Sequence, residues 1–236
     1  MDLSSLAVPH TLAHLTPLLP PAPARVLEAG CGRGALAAAL AELGHDVTGV
    51  DRNAEMAAAA RERGVDVLHA DLLDVSGEYD VVLFTRSLHH AEDLDALLTH
   101  AVTLLAPGGR LVVEEFGWER VDQAAAEFVL DSGALLRAAG VLDTETPATD
   151  LLGAWVERHE HLHRGSAMLA ALGRFGALTT VDTPMLWRMV DGRGGRWRDA
   201  DRAPDVLAAL RAGEERRLAA GTLPHVGIAA SALIST

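Results

Sequence analysis

The segment Val26-Leu27-Glu28-Ala29-Gly30-Cys31-Gly32-Arg33-Gly34, running directly into Ala35-Leu36-Ala37-Ala38-Ala39-Leu40, constrains this chain more than any other. An apolar run is followed by three alternating glycines and then by good helix formers. That pattern predicts a short buried strand, a tight turn and a helix that opens at once. Only glycine lets the chain turn so sharply and bring bare backbone against a ligand. Open α/β sheets place ligands at this point, outside the carboxyl ends of their strands. The spacing is E-x-G-x-G-x-G, not the G-x-G-x-x-G that cradles a dinucleotide pyrophosphate. A second apolar run, Asp46 to Val50, ends on Asp51, whose carboxylate is able to accept hydrogen bonds from two vicinal ribose hydroxyls.

A ribose grip without a phosphate grip points to S-adenosyl-L-methionine. At these residues the chain resembles the class I S-adenosylmethionine-dependent methyltransferases, in their small-molecule (methyltransferase type 11/12-like) branch. Three further motifs follow in the family's order. His69-Ala70-Asp71-Leu72-Leu73 resembles its third-strand end, Tyr79 to His90 its fourth strand and Leu-His-His loop, and Leu104 to Glu114 its Pro-Gly-Gly turn into strand five. The resemblance implies an α/β fold: a doubly wound, seven-stranded, mostly parallel sheet, the Rossmann-like methyltransferase fold, with a helical insertion after strand five. It also implies a cofactor site. Glu28, Gly30, Cys31, Gly32 and Gly34 would lie at the methionine end, Asp51 at the ribose, and Asp71 with Leu72 around the adenine. Arg52 either stacks on the adenine face or points to solvent, and Asp71 could instead be a plain strand-end cap. Thr85 and Arg86 would offer main-chain carbonyls to the ammonium group, so their side-chain identity would matter little.

A chain of 236 residues fits one α/β domain. Within it we expect an N-terminal helical segment (1–23), a cofactor-binding core (24–117), a helical cover (118–174) and C-terminal elements completing the sheet (175–236). The net charge of −13 disfavours nucleic acid, which draws protein affinity from Lys and Arg contacts to phosphate. The one basic cluster, Arg193 to Arg198, sits between acids. All basic residues are Arg and there is a single Asn and a single Tyr, a GC-rich coding bias that suggests specialised metabolism and natural-product biosynthesis. Cys31 is the only cysteine, so no intrachain disulfide forms and a reducing cytoplasm is expected. No signal peptide or membrane-spanning run is evident. The expected partner is a small-molecule acceptor, with no nucleic acid and no membrane, for a monomer or homodimer.

Methyl transfer from a sulfonium asks mainly for alignment and exclusion of water, with a base where the acceptor is a hydroxyl. Candidate bases are histidines. His89 and His90 open the helix expected after strand four, where a histidine either takes a proton from an acceptor hydroxyl or bonds the local backbone at a helix start. A helix from Asp150 to Arg164 would set Leu152, Val156, His159 and His163 on one face, with Trp155 and Leu162 beside them and His161 opposite. There His159 and His163 either line the acceptor pocket or pack in the core. A metal is not expected, since no H-E-x-x-H or third ligand accompanies them. Trp118 and Trp187 read as core or rim. Glu114 and Glu115 end strand five, either contacting the acceptor or solvated. Between Phe116 and Arg174 there is no strand signal. Ala177 to Val190 returns to β character with Pro184 inside it, which marks an edge strand or a broken one. Besides methyl transfer, the same fold could bind the cofactor for a cyclisation or decarboxylation, or serve as a non-catalytic subunit.

Overall fold

The computed structural model describes residues 4–143, 149–190 and 196–234; Arg193, Gly194 and Gly195 of the basic cluster lie outside them. The apolar runs and helical stripes of the sequence alternate as expected. They give α1 (Ser4–Leu15), β1 (Arg25–Ala29), α2 (Ala35–Glu42), β2 (Asp46–Asp51), α3 (Ala54–Glu62), β3 (Asp66–His69), β4 (Tyr79–Thr85), α4 (Leu94–Thr103) and β5 (Leu105–Phe116). Then follow α5 (Gln123–Ala138), β6 (Leu142–Asp143), α6 (Leu151–His159), α7 (Gly165–Leu172), β7 (Leu178–Thr183), β8 (Arg196–Trp197), α8 (Ala203–Ala219) and β9 (Gly227–Leu233). Asn53 caps α3 by accepting from the amides of Glu55 and Met56.

The chain divides into two compact units, one of Ser4–Glu115, His163–Val181 and the residues from Ile228 on, the other of Phe116–Leu162 and Asp182–Gly227. The first holds most of a seven-stranded sheet of order β3-β2-β1-β4-β5-β9-β7. The pairings β1–β2, β1–β4, β2–β3 and β4–β5 are all parallel. β9 runs antiparallel to β5, since the Ile234 amide bonds the Gly109 carbonyl at one end and the Gly117 amide bonds Val226 at the other. This is the doubly wound, mostly parallel sheet expected. Pro107 to Gly109 form a shift in register within β5, between the pairs Tyr79–Leu105 and Val81–Arg110.

Side-chain alternation explains why the strands read as unbroken apolar runs: both faces are covered. Leu27, Val82, Phe84, Leu111 and Val113 face Leu94, Leu98, Met168 and Leu172 of α4 and α7. Their neighbours Val26, Val81, Leu83 and Val112 face Leu15, Leu36, Leu40 and Ala57 of α1, α2 and α3. β7 lies at the sheet edge and stops at Thr183, both as Pro184 suggested. The β character expected for Leu186 to Val190 is not realised; Leu186–Arg188 form a 3₁₀ turn instead.

The second unit packs Trp118, Val129, Trp155, Met185, Leu186 and Leu223 into its own core. Glu214 of α8 organises it. Its buried carboxylate accepts the amides of Met185, Leu186 and Trp187, satisfying the start of the 3₁₀ turn. Trp118 and Trp187 are both core residues. The strandless reading of Phe116 to Arg174 is corrected by β6, which pairs antiparallel with β8. The helix expected over Asp150 to Arg164 is also corrected: α6 ends at His159 and a new helix begins at Gly165.

Candidate functional site

The glycine turn folds as the spacing requires. Gly30, Gly32 and Gly34 have φ of 75°, 55° and 72°, the left-handed region that an L side chain occupies only at a cost. The Gly30 and Cys31 amides both bond the Val50 carbonyl, at 2.8 and 3.1 Å, tying the turn to β2. A Cβ at Gly30 would lie 2.7 Å from Ser87 Cβ, and one at Gly34 2.7 Å from Ala60 Cβ, whereas one at Gly32 would meet nothing within 4 Å. The turn is therefore packed at its ends and open in the middle.

Two carboxylates flank that opening. Asp51 accepts the Gly32 amide on Oδ2 and the Asn53 amide on Oδ1, both at 2.8 Å. Each oxygen keeps one lone pair for a ligand. Glu28 is 2% exposed, accepts the Thr85 hydroxyl at 3.0 Å, and leaves Oε2 buried with no partner among the described residues. Burial pushes its carboxyl up to about 7, against the pull of Thr85, Arg86 and the Ala37 amide, which is too poorly placed to count as a hydrogen bond to Oε2. An orphaned buried oxygen is costly and is well matched to a cationic donor on a ligand. Cys31 is buried, and burial first, then Glu28 and Asp51, pushes its thiol up to about 12, which removes it as a nucleophile. Asp71 caps the 3₁₀ turn Leu72–Asp74 through the Leu73 amide, and Leu72 is buried beneath it. Arg52 is exposed and lies 3.7 Å from Glu92.

The turn after β4 departs from the expectation that its side chains are interchangeable. Thr85 holds Glu28, and Arg86 donates to Glu114 at 2.6 Å. Ser87 donates to the Ala29 carbonyl at 2.8 Å. Glu114 and Glu115 are each 1% exposed, which overturns the solvated strand end. Successive residues of a strand point to opposite faces, so each acid needs a separate set of partners. Glu114 takes Thr11 and Arg86; Glu115 takes the Leu88 amide at 2.7 Å and His89 Nδ1 at 2.6 Å. His89 is thus a buried partner of a carboxylate. His90, in the same 3₁₀ turn Leu88–His90, is exposed, with its ring 4.2 Å from that of His89.

His159 and His163 do not share a helix face, because α6 stops between them. His159 belongs to the second unit, its ring 4.0 Å from Trp155 and its Nδ1 2.8 Å from the Trp155 carbonyl. His163 belongs to the first, where its Nε2 lies 2.9 Å from the Ala91 carbonyl and its amide bonds the His89 carbonyl. It borders an open cleft of about 570 Å³ with Glu92, Asp95 and Arg174. Among the described residues no group of three or more His, Cys, Asp or Glu is arranged to hold a metal, and no helix is long and apolar enough to cross a membrane. Motif reading missed Thr11, the role of Ser87, and the partners that bury Glu114 and Glu115; the local hint was a pair of acids continuing an apolar strand.

A glycine turn after β1, an acid closing β2 and this strand order define a Rossmann-like methyltransferase fold. The chain belongs to a methyltransferase-domain family, whose profile matches residues 6–176. It is 37% identical over 113 residues to a ubiquinone biosynthesis O-methyltransferase of Xanthomonas axonopodis pv. citri, covering 44% of this chain and 47% of that protein. It is 28% identical over 197 residues to the protein of the same name from a Chelativorans species, covering 78% and 70%. The chain thus spans about half the length of the first of these relatives. In fold it is similar to phosphoethanolamine N-methyltransferase 2 of Haemonchus contortus, solved with S-adenosyl-L-methionine, at 18% identity and a TM-score of 0.60, covering 97% of this chain and 53% of that one.

Proposed function

We propose that the chain is an S-adenosyl-L-methionine-dependent methyltransferase that acts on a small molecule, with a hydroxyl as acceptor. The observation that carries the reading is the pair of acids at adjacent strand ends. Glu28 has an unpartnered buried oxygen and Asp51 has a lone pair on each oxygen, on either side of a glycine turn open at Gly32. These donors and acceptors fit the cofactor. Glu28 would hold its ammonium group, oriented by Thr85, and Asp51 its ribose hydroxyls. The free Asp71 oxygen, Leu72 and Arg52 would frame the adenine, and Arg86 would fix the turn beside the methionine end. When bound, the cofactor supplies a methyl group already activated on a sulfonium; the chain's own task is to orient the acceptor and exclude water. His90 is the candidate base for an acceptor hydroxyl, with His163 beside the same turn. His159, stacked on Trp155, fits a packing role better.

The O-methyltransferase names of the curated relatives support an oxygen acceptor, whereas specialised metabolism rests on coding bias alone. The charge of −13 supports a compact acceptor over a polyanion, and a cytoplasmic setting rests on the lone cysteine. Calorimetry with S-adenosylmethionine, S-adenosylhomocysteine and NAD tests the cofactor, and release of S-adenosylhomocysteine with a panel of phenolic acceptors tests the reaction. Binding of the two sulfur ligands without NAD is expected. NAD binding alone would overturn the reading, and bound cofactor with no product across the panel would favour a non-methylating role.

A further inference from the structure

Glu114 sits near the end of β5, 1% exposed, and three residues reach its carboxylate, two from α1 and one from the turn after β4. Thr11 of α1 donates its hydroxyl to both oxygens, each at 3.1 Å. Arg86 donates from its guanidinium at 2.6 Å, and His14 Nδ1 lies 3.7 Å from Oε1. The Arg86 amide also donates to the Glu114 carbonyl at 2.8 Å, so one residue grips Arg86 by its main chain and by its side chain. That grip has work to do. Arg86 has φ of 54°, a left-handed conformation that a residue with a side chain keeps only when its surroundings hold it there. The next residue, Ser87, donates to the Ala29 carbonyl at 2.8 Å, and its Cβ fills the space a Cβ on Gly30 would need. Contacts therefore run without a gap from α1 through Glu114, Arg86 and Ser87 to the glycine turn.

We propose that Thr11 and Glu114 are positioning residues for ligand binding at the glycine turn. By holding Arg86 they fix Ser87 against Ala29 and Gly30, and they tie the docking of α1 to occupancy of that turn. The inference rests on the cofactor reading above. A packed and hydrogen-bonded chain of this kind carries coupling because none of its members can move alone. Coupling between two equilibria is reciprocal: if docking of α1 strengthens ligand binding, the ligand must strengthen docking of α1 by the same factor.

The test is calorimetry of S-adenosylhomocysteine binding to the full chain, as wild type, Thr11→Val and Thr11→Ser, paired with hydrogen exchange of residues 4–15 with and without that ligand. Saturating ligand is expected to slow exchange of 4–15 in the wild type. Thr11→Val, nearly isosteric, should weaken binding by about tenfold, within the usual range of coupling between sites, and abolish the slowing. Thr11→Ser, which keeps the hydroxyl, should restore both. A role in packing alone would not make the exchange of α1 respond to ligand. Should Thr11→Val fail to fold, Glu114→Gln, which keeps an acceptor for Thr11 but weakens the hold on Arg86, supplies the same comparison. Wild-type affinity in the variant, or exchange of 4–15 indifferent to ligand in the wild type, overturns the proposal. No binding of S-adenosylhomocysteine to the wild type overturns the cofactor reading, and this inference with it.

Discussion

Gly30 and Gly32 differ in one respect that can be measured. Both sit at positive φ, 75° and 55°, so alanine at either carries the same backbone penalty. That penalty is roughly 1–2 kcal/mol for a left-handed L-residue, offset by about 0.4–1 kcal/mol from the stiffer unfolded chain. At Gly32 nothing else opposes the methyl group, since among the described residues no atom beyond its chain neighbours lies within 4 Å of it. At Gly30 the methyl would meet Ser87 Cβ at 2.7 Å, and Ser87 cannot yield easily because its hydroxyl is bonded to Ala29. Overpacking of this kind adds about 1–3 kcal/mol. Gly32→Ala should therefore cost roughly 1 kcal/mol and Gly30→Ala roughly 3. For a chain of this size that corresponds to a fall in Tm of about 2–4 °C against about 6–12 °C, readable by calorimetry or circular dichroism. Affinity should invert the order of the two effects. Gly32→Ala, nearly native in stability, places its methyl in the space assigned to the ligand and should weaken S-adenosylhomocysteine binding by at least tenfold. Equal loss of stability in both variants would refute the packing argument. Unchanged affinity in Gly32→Ala would refute the assignment of that open space to the ligand.

Asp51→Ala removes a charged acceptor and should cost about 1.5–3 kcal/mol of cofactor affinity by calorimetry; wild-type affinity would remove Asp51 from the site. The Glu28 carboxyl, raised by burial from 4.5 to about 7, binds its proton more tightly in the folded than in the unfolded chain. Stability from this group is thus full below about pH 4.5 and lost as pH rises toward 7, by roughly 3 kcal/mol in urea titrations, and Glu28→Gln should flatten that window. Cys31, with its thiol raised to about 12, should resist a thiol reagent at pH 8 in the native protein and react promptly once unfolded. Glu214→Ala strands three buried amides and should destabilise the fold by about 2–4 kcal/mol in chemical denaturation; a loss below 1 kcal/mol would mean that water replaces the carboxylate.

Local pattern carried the strand–helix alternation, the parallel order of the first strands, the glycine turn and Asp51 at the end of β2. Each depends on residues adjacent in the chain or one helical turn apart, where side-chain period and glycine's backbone freedom act directly. The same local rules failed after His159. The apolar spacing continued through Leu162 and His163, with no glycine or proline to mark the end of α6. What replaced the helix was tertiary: the His163 amide and ring both bond the turn after β4. The charged interior was equally out of reach. Glu28 finds Thr85, Glu115 finds His89, Glu114 finds Thr11 across 103 positions, and Glu214 finds the turn at Met185. A buried acid needs a partner, but neither its burial nor its partner is written in the residues beside it. Which partner it has depends on which strands and helices meet, and that is decided only when the sheet closes its layers.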